Sequence, residues 1–405
     1  MESVDILITQ ANELLTLKGS KKPRIKQQMK NLGILKNGSV AIKNGLIVDV
    51  GKNLRYKAET IIDASGKLVM PGFVDPHTHV VFAGSREFEL DLKLANVPYL
   101  EILKRGGGIF HTVNQTRKAT PLQLLRESKK RLDTMLLYGT TCCEAKTGYG
   151  LDVQAEVKLL QVQNKLQETH PIDIVSTFLG AHAIPSNQSA NEYIKIVINE
   201  MLPKTKGLAR FCDVFCEKGV FTVAQARKIL KAGKRYSLVP KIHADEIVQT
   251  GGASLAVEVG AISADHLLCS SKGDLQAMAQ HYVIGVLLPG TPFCLMMQRY
   301  APARKMIDLG VPLAVATDLN PNCWTENMQF IIQLSCLKMQ MTPAEAITAA
   351  TFNAACAIGM QNTVGSLEKG KQADILILDC PNHQFLPYHF GVNLVEKVIK
   401  KGCVL

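Results

Sequence analysis

Apolar and polar positions change their rhythm twice along the chain. Up to about residue 70 the apolar residues fall in short runs, Asp5–Thr9, Gly38–Ile42, Leu46–Val50 and Thr60–Asp63, which predict β strands, with Lys43-Asn44-Gly45 as a turn. The C-terminal stretch returns to that texture. Ala373–Leu378 and Val395–Ile399 read as strands after the turn-rich Gly365–Lys371. Two β-rich ends around a different middle predict one small sheet domain built from both termini, residues 1–70 plus 363–405.

The middle, residues 71–362, alternates. Apolar strand candidates recur at Leu68–Val74, Thr140–Ala145, Ile174–Leu179, Phe211–Phe215, Val239–His243, Ile262–His266, Ile284–Leu288 and Leu313–Thr317. Helix-like stretches such as Pro121–Leu137, Gln154–Gln167 and Thr222–Lys234 separate most of them. Eight strand–helix units predict an α/β fold, a closed (β/α)8 TIM-like barrel. An open doubly wound sheet would need a phosphate loop after a strand. Gly106-Gly107-Gly108 follows a helix-like segment instead and fails that test.

Where the polar residues fall supports the barrel. Active sites of this fold form where strands end at the C-terminal face. Seven of the eight candidate strands run apolar and then deliver an ionisable residue: His77 and His79, Glu144, His182, Glu217, His243 with Glu246, His266, and Asp318. Independent surface residues would not follow that rule.

Composition adds exclusions. With 47% hydrophobic and 20% charged residues, the chain reads as a soluble globular protein. No apolar run reaches the ~20 residues that span a bilayer. The start, MESVDILITQ, lacks the pattern of a signal peptide, and the ending KGCVL places its cysteine one position too late for prenylation. The 11 cysteines include no C-x-x-C pair and read as reduced, mostly buried thiols. Together these features predict a cytoplasmic protein with no membrane partner. The net charge of +11 is partly concentrated in Lys18–Lys30. Without interleaved aromatics that run reads as a solvated loop, not a nucleic-acid arm. A basic surface also suits an anionic small substrate.

His77-Thr78-His79 sets two imidazoles on one face of a continuing strand, where both can reach one ion. On its own an H-x-H pair is weak. His243 and Asp318, each at the end of another strand, complete a set of three nitrogens and one oxygen that suits zinc, with iron or manganese also credible. Such a metal activates a water for attack on a carbonyl. Glu246, three residues beyond His243, is the candidate general acid/base, and His266 the candidate for polarising the carbonyl oxygen. The bland alternatives are a surface carboxylate for Glu246 and, for His266, a histidine satisfied by hydrogen bonds behind the ligands.

At this point the residues acquire a resemblance. PGFVDPHTHVVFAGSREFEL, GGGIFHTVNQTR, YGTTCCEAKTGYGL, STFLGAHAIP, KIHADE, SADHL, LLPGT and ATDLNPN resemble the imidazolonepropionases, amidohydrolases of histidine breakdown, from about Ala41 to Gly402. H-x-H and the H…H…D order are shared across amidohydrolases and are only moderately specific. HTHVVFAGSRE, KTGYGL and HADE are far more specific.

The resemblance implies hydrolysis of the cyclic amide C–N bond of 4-imidazolone-5-propanoate to N-formimino-L-glutamate, in a (β/α)8 barrel whose companion sheet domain is a β-sandwich. It implies one metal ion, Zn2+ or Fe3+, on His77, His79, His243 and Asp318, and a homodimer. It places substrate contacts on Arg86, Tyr149, His182, Glu246 and Asn320, with Asn322 and Cys323 just after. A propanoate tail needs a cation, and Arg86 offers a bidentate fork. Two departures stand out. Many members carry a glycine and a hydroxyl residue where Asn322 and Cys323 stand, and a thiol is a poor hydrogen-bonding group. Lys218 lies near the place where binuclear relatives bridge two metals; with one metal implied, it reads as incidental. The rival readings are a deaminase of a heterocyclic base and a non-catalytic scaffold. The second should have lost metal ligands, and all four are present.

Overall fold

In the computed structural model, which describes residues 2–95, 97, 101–102 and 105–405, the strands follow the two rhythms of the sequence. β1 (Ser3–Ala11), β2 (Glu13–Leu15), β3 (Ile34–Leu35), β4 (Gly38–Lys43), β5 (Leu46–Lys52), β6 (Lys57–Asp63) and β7 (Leu68–Pro71) come first. β8 (Phe73–Asp75), β9 (Thr140–Lys146), β10 (Asp173–Ala181), β11 (Phe211–Cys216), β12 (Val239–Ala244), β13 (Ser263–His266), β14 (Ile284–Leu287) and β15 (Leu313–Val315) form the middle. β16 (Ile375–Leu378), β17 (Val395–Lys400) and β18 (Cys403–Val404) close the chain.

The middle strands pair in chain order, every pair parallel, with helices between them. First and last meet just past their ends. Thr78 bridges Leu319 in parallel, Asp318 N donates to His77 O at 3.1 Å, and His79 N donates to Leu319 O at 2.9 Å. Below this seam the Asp75 carboxylate accepts from Thr317 N at 3.1 Å and Thr317 Oγ1 at 2.5 Å. The segments that close the barrel are therefore those that carry His77, His79 and Asp318. The outer helices start where the sequence supplies caps. Thr120 accepts from Gln123 N before Pro121–Leu137, Asp152 from Ala155 N before Val153–Thr169, and Thr222 forms a capping box with Gln225 before Val223–Lys234.

One predicted strand is two. Leu68–Val74 divides at Gly72: β7 pairs with β2 and β16, whereas β8 pairs with β9. Gly72 N donates to Asp374 O and Phe73 N to Gly139 O, so the chain changes sheets within one residue. A Cβ on Gly72 would collide with the side chain of Thr141, which is why this crossing is a glycine. The terminal strands form two sheets, β5-β4-β1-β6 and β18-β17-β16-β7-β2-β3. Their shared core holds Ile8, Leu14, Val40, Ile42, Val69, Ile375 and Ile377. Each such fully buried side chain contributes about 1.5–3 kcal/mol.

The basic run is more anchored than a solvated loop. Its lysines are exposed, but Arg24 is buried and donates to Asn31 O and Leu17 O. Asn353 pairs with the Arg24 backbone, and Thr348 Oγ1 donates to Met29 O at 2.7 Å, strapping Lys26–Lys30 to the barrel. No helix among the described residues is long and apolar enough to cross a membrane, and all 11 cysteines are free thiols.

Candidate active site

Alternation along the strands turns a layer of ionisable residues into the barrel. Glu144 and Lys146 of β9, Asp213 of β11, Lys241 and His243 of β12 and Asp265 of β13 are all buried. Lys146 Nζ lies 2.7 Å from Asp213, 3.0 Å from Glu144 and 3.3 Å from Asp265; Lys241 Nζ lies 2.7 Å from Glu144. Burial alone would pull the Lys146 ammonium down, but Asp213, Glu144 and Asp265 outweigh it and hold its pKa above the ordinary value. Glu144 thus belongs to the barrel interior and not to the end of its strand.

Above this layer the H-x-H histidines converge with a third. One ligand nitrogen each of His77, His79 and His243 can be chosen so that all lie within 4.8 Å of one another. His77 Nδ1 meets Asp265 Oδ2 at 2.7 Å, which leaves its buried Nε2 without a hydrogen-bond partner. His79 Nδ1 lies 3.3 Å from Thr147 O. His243 Nδ1 lies 3.1 Å from Asp213 Oδ2, off the hydrogen-bonding direction. Burial, then neighbouring cations and imidazoles, push the pKa of all three well below the ordinary value, so they are neutral, the form that ligates metals. Asp318 Oδ1 stands 3.5 Å from His77 Nε2 and 3.8 Å from His79 Nε2, while its Oδ2 accepts from Thr291 Oγ1 at 2.5 Å. An orphaned imidazole nitrogen, two converging rings and a carboxylate fit a single divalent or trivalent cation.

His182 stacks on His79 with ring centroids 5.0 Å apart, and Tyr149 packs against both rings. His182 Nδ1 lies 3.1 Å from Gly148 O, and burial takes its pKa down to about 4. Gly148 has φ +105°, and a Cβ there would come within 2.7 Å of His182 Nδ1. Only glycine combines that backbone with that contact, which accounts for the glycine of Lys146-Thr147-Gly148-Tyr149.

His266 breaks the alternation. Asp265 points inward to His77, yet the next residue also reaches the centre, its ring 5.2 Å from His243 and 5.6 Å from His77. Left-handed backbone at His266 (φ +76°) and Leu267 (φ +61°) turns the side chain back over the barrel mouth. Such backbone costs about 1–3 kcal/mol per residue. Burial lowers the His266 pKa to about 4. Its Nδ1 is 3.6 Å from Glu246 Oε1. Burial first, then Asp318 and Glu217, push the Glu246 carboxyl up to about 8. Asp245, also left-handed, accepts from Thr250 N, Gly251 N and Ser270 Oγ, and Glu217 accepts from Ile247 N, so the loop that presents Glu246 is pinned on both sides. Lys218 is exposed.

The loop after Asp318 serves itself. Asn320 Oδ1 accepts from Asn322 N at 2.7 Å and Cys323 N at 3.1 Å, and Asn320 Nδ2 donates to Asp318 O. Both backbone donors are thereby used inside the loop. Cys323 is fully buried, its Sγ 3.7 Å from Cys294 Sγ, and Asn322 Oδ1 accepts from Lys93 Nζ at 2.7 Å. Arg86 gives Nε and Nη2 to the two oxygens of Glu89, each at 2.7 Å. Arg86, Lys93 and Asn322 line one cavity of about 850 Å3. The three clustered histidines are not in its lining, so Arg86, Lys93 and Asn322 form a group apart from the histidine cluster.

Sequence reading passed over Asp265, Asp213, Lys146 and Thr291. Asp265 carries the one available signal, an acid opposite His243 in register; Asp213 lies two residues before Phe215, the residue opposite His243, and carries none.

The closed parallel barrel, with an H-x-H just past its first strand and a third histidine across the mouth, makes this an amidohydrolase. Family models of amidohydrolases match residues 60–104 and 295–405. The fold is shared with an adenosine deaminase from Xanthomonas campestris with bound zinc (TM-score 0.76, 20% identity, 100% of this chain and 93% of that one). It is likewise shared with zinc-bound atrazine chlorohydrolase from Arthrobacter aurescens (TM-score 0.74, 16% identity, 99% and 95%). More specifically, the chain belongs to the imidazolonepropionase family. It is 52% identical to the imidazolonepropionase of Alkaliphilus metalliredigens over 98% of this chain and 97% of that one. It is also 52% identical to that of Geobacillus kaustophilus over 99% and 97%.

Proposed function

We propose that the chain hydrolyses the ring C–N bond of 4-imidazolone-5-propanoate to N-formimino-L-glutamate in histidine degradation. The observation that carries this is the cluster of His77, His79 and His243 facing Glu246 and His266, in a chain that is half identical to imidazolonepropionases throughout. His77, His79, His243 and Asp318 hold one metal ion, Zn2+ or Fe3+. When bound, that ion supplies Lewis acidity and a water acidified toward neutrality.

The chain's own residues do the rest. Glu246, with its pKa pushed up to about 8, accepts a proton from the attacking water and returns it to the departing ring nitrogen. Neutral His266 keeps one N–H for the carbonyl oxygen, where negative charge develops. His182 and Tyr149, packed on His79, hold the imidazolone ring. Arg86 supplies positive charge for the propanoate, with Glu89 fixing its plane. Arg86, Lys93 and Glu89 sum to one positive charge, matching one carboxylate. Asn320, Asn322 and Cys323 shape the loop behind Asp318. The same reading includes a cytoplasmic homodimer with a barrel at 71–362 and a sandwich from 1–70 and 363–405.

The test is incubation of metal-loaded protein with the imidazolone, following loss of the ring's ultraviolet absorbance. Ring opening without ammonia supports the reading; ammonia release would point to a deaminase instead.

A further inference from the structure

The proposed reaction gives no task to the lysines sealed inside the barrel. Lys146, fully buried on β9, sits among three carboxylates, and two of these also meet histidines of the metal cluster. The same oxygen atoms serve both contacts. Asp265 Oδ2 is 3.3 Å from Lys146 Nζ and 2.7 Å from His77 Nδ1. Asp213 Oδ2 is 2.7 Å from Lys146 Nζ and 3.1 Å from His243 Nδ1.

We propose that Lys146 is a positioning residue of the metal centre, one ammonium that fixes the rings of His77 and His243 relative to each other through Asp265 and Asp213. This rests on the reading that these histidines hold the metal. The two rings are borne by different regions of the barrel, one after β8 and one on β12, so no local backbone geometry ties them together. The lysine supplies the tie. Without it, two buried carboxylates face each other across a low-dielectric gap and repel, and each ring follows its carboxylate. Partners one step removed from a metal typically change its affinity by 10–100-fold.

Lys241 provides the control. It is equally buried in the same interior, but its hydrogen bonds go to Glu144 and to the carbonyls of Pro76 and Ala357, not to Asp213 or Asp265. A second variant separates bridging from charge balance. Glu144, Asp213 and Asp265 against Lys146 and Lys241 sum to −1, and K146M/E144Q keeps that sum with one lysine and two carboxylates.

The experiment measures Zn2+ affinity of the full chain by competition with a chromophoric chelator, and the visible spectrum of the Co2+-substituted protein. K146M and K146M/E144Q should bind Zn2+ ~10–100-fold more weakly than wild type and shift the Co2+ bands, while K241M binds as wild type does. Wild-type affinity and spectrum in K146M/E144Q would overturn the proposal, as would equal weakening in K241M. Wild-type protein that takes up no metal would remove the underlying reading as well, and so is distinguishable from either result.

Discussion

Replacing Glu246 by Gln should move activity and stability in opposite directions. The side chain is 17% exposed, and the neutral His266 ring stands 3.6 Å from it. Burial, Asp318 and Glu217 raise its carboxyl pKa from 4.5 to about 8. Between pH 4.5 and 7 the unfolded chain therefore releases a proton that the folded chain keeps. That difference costs the metal-free protein about 3 kcal/mol at pH 7. The sign follows from a raised acid: the penalty is absent below the unfolded pKa and grows as pH rises toward the folded one. Gln fills the same space without that penalty, so metal-stripped E246Q should melt about 3–4 °C higher at pH 7, with the gain vanishing near pH 4.5. The metal-loaded variant should retain its ion but lose ~10²–10⁴-fold in kcat, because the proton carrier is gone. Its pH profile should also lack the acidic limb that wild type owes to Glu246. Calorimetry across pH and steady-state kinetics on the imidazolone test both halves. Turnover within threefold of wild type, or an unchanged acidic limb, would refute the assignment of the proton carrier. A melting temperature equal to wild type at every pH would refute the raised carboxyl.

His243→Ala should abolish both bound metal, read by elemental analysis, and turnover; a metal-replete active variant would dissolve the site. Arg86→Ala should raise KM for the propanoate substrate ~10–100-fold, equivalent to the 1.5–3 kcal/mol of a charged hydrogen bond, and leave a decarboxylated analogue nearly unaffected. Equal losses would make Arg86 a purely structural partner of Glu89. Lys400 joins Asp173 and Asp374, at 2.6 Å each, where the end of β17 meets the foot of β10. K400M should therefore destabilise by about 3–5 kcal/mol, measured by urea unfolding. Asp173 feels burial raising its pKa, but Lys400 outweighs it and holds the carboxyl below its ordinary 3.8. Its contribution is thus present above that value and lost as pH falls through the lower folded one, and a wild-type acid midpoint insensitive to K400M would count against it.

Much of the architecture was legible because each barrel strand is an apolar run with a defined end. His77, His79, His243, His266 and Asp318 all lie at such ends, so the sequence alone could gather them. What lay out of reach has physical causes. Leu68–Val74 is continuous in hydrophobicity, and only its pairing in the fold shows that the chain changes sheets at Gly72. β2, β3 and β18 are three residues or fewer, too short to carry a period. Lys146 and Asp213 sit in strands where a charge ordinarily argues for exposure; their mutual neutralisation is a property of three strands at once. The place of His266 at a strand end was legible, but the direction of its side chain was not, because two consecutive left-handed residues reset it. At Asn320–Cys323 the resemblance implies substrate contacts, while the closing of two backbone donors on Asn320 comes from a turn that no sequence period announces.

The pairing of β7 with β16 also constrains how the molecule can be made. Ile375 lies opposite Pro71 and Leu378 opposite Leu68, with the entire barrel sequence between them. During synthesis, the edge of β7 that β16 will cover has no partner until the last strands have left the ribosome. An unpaired strand edge is a template for association with other chains. Contacts so distant in sequence also close slowly. The waiting edge of β7 is therefore where a nascent chain of this kind is open to association with other chains.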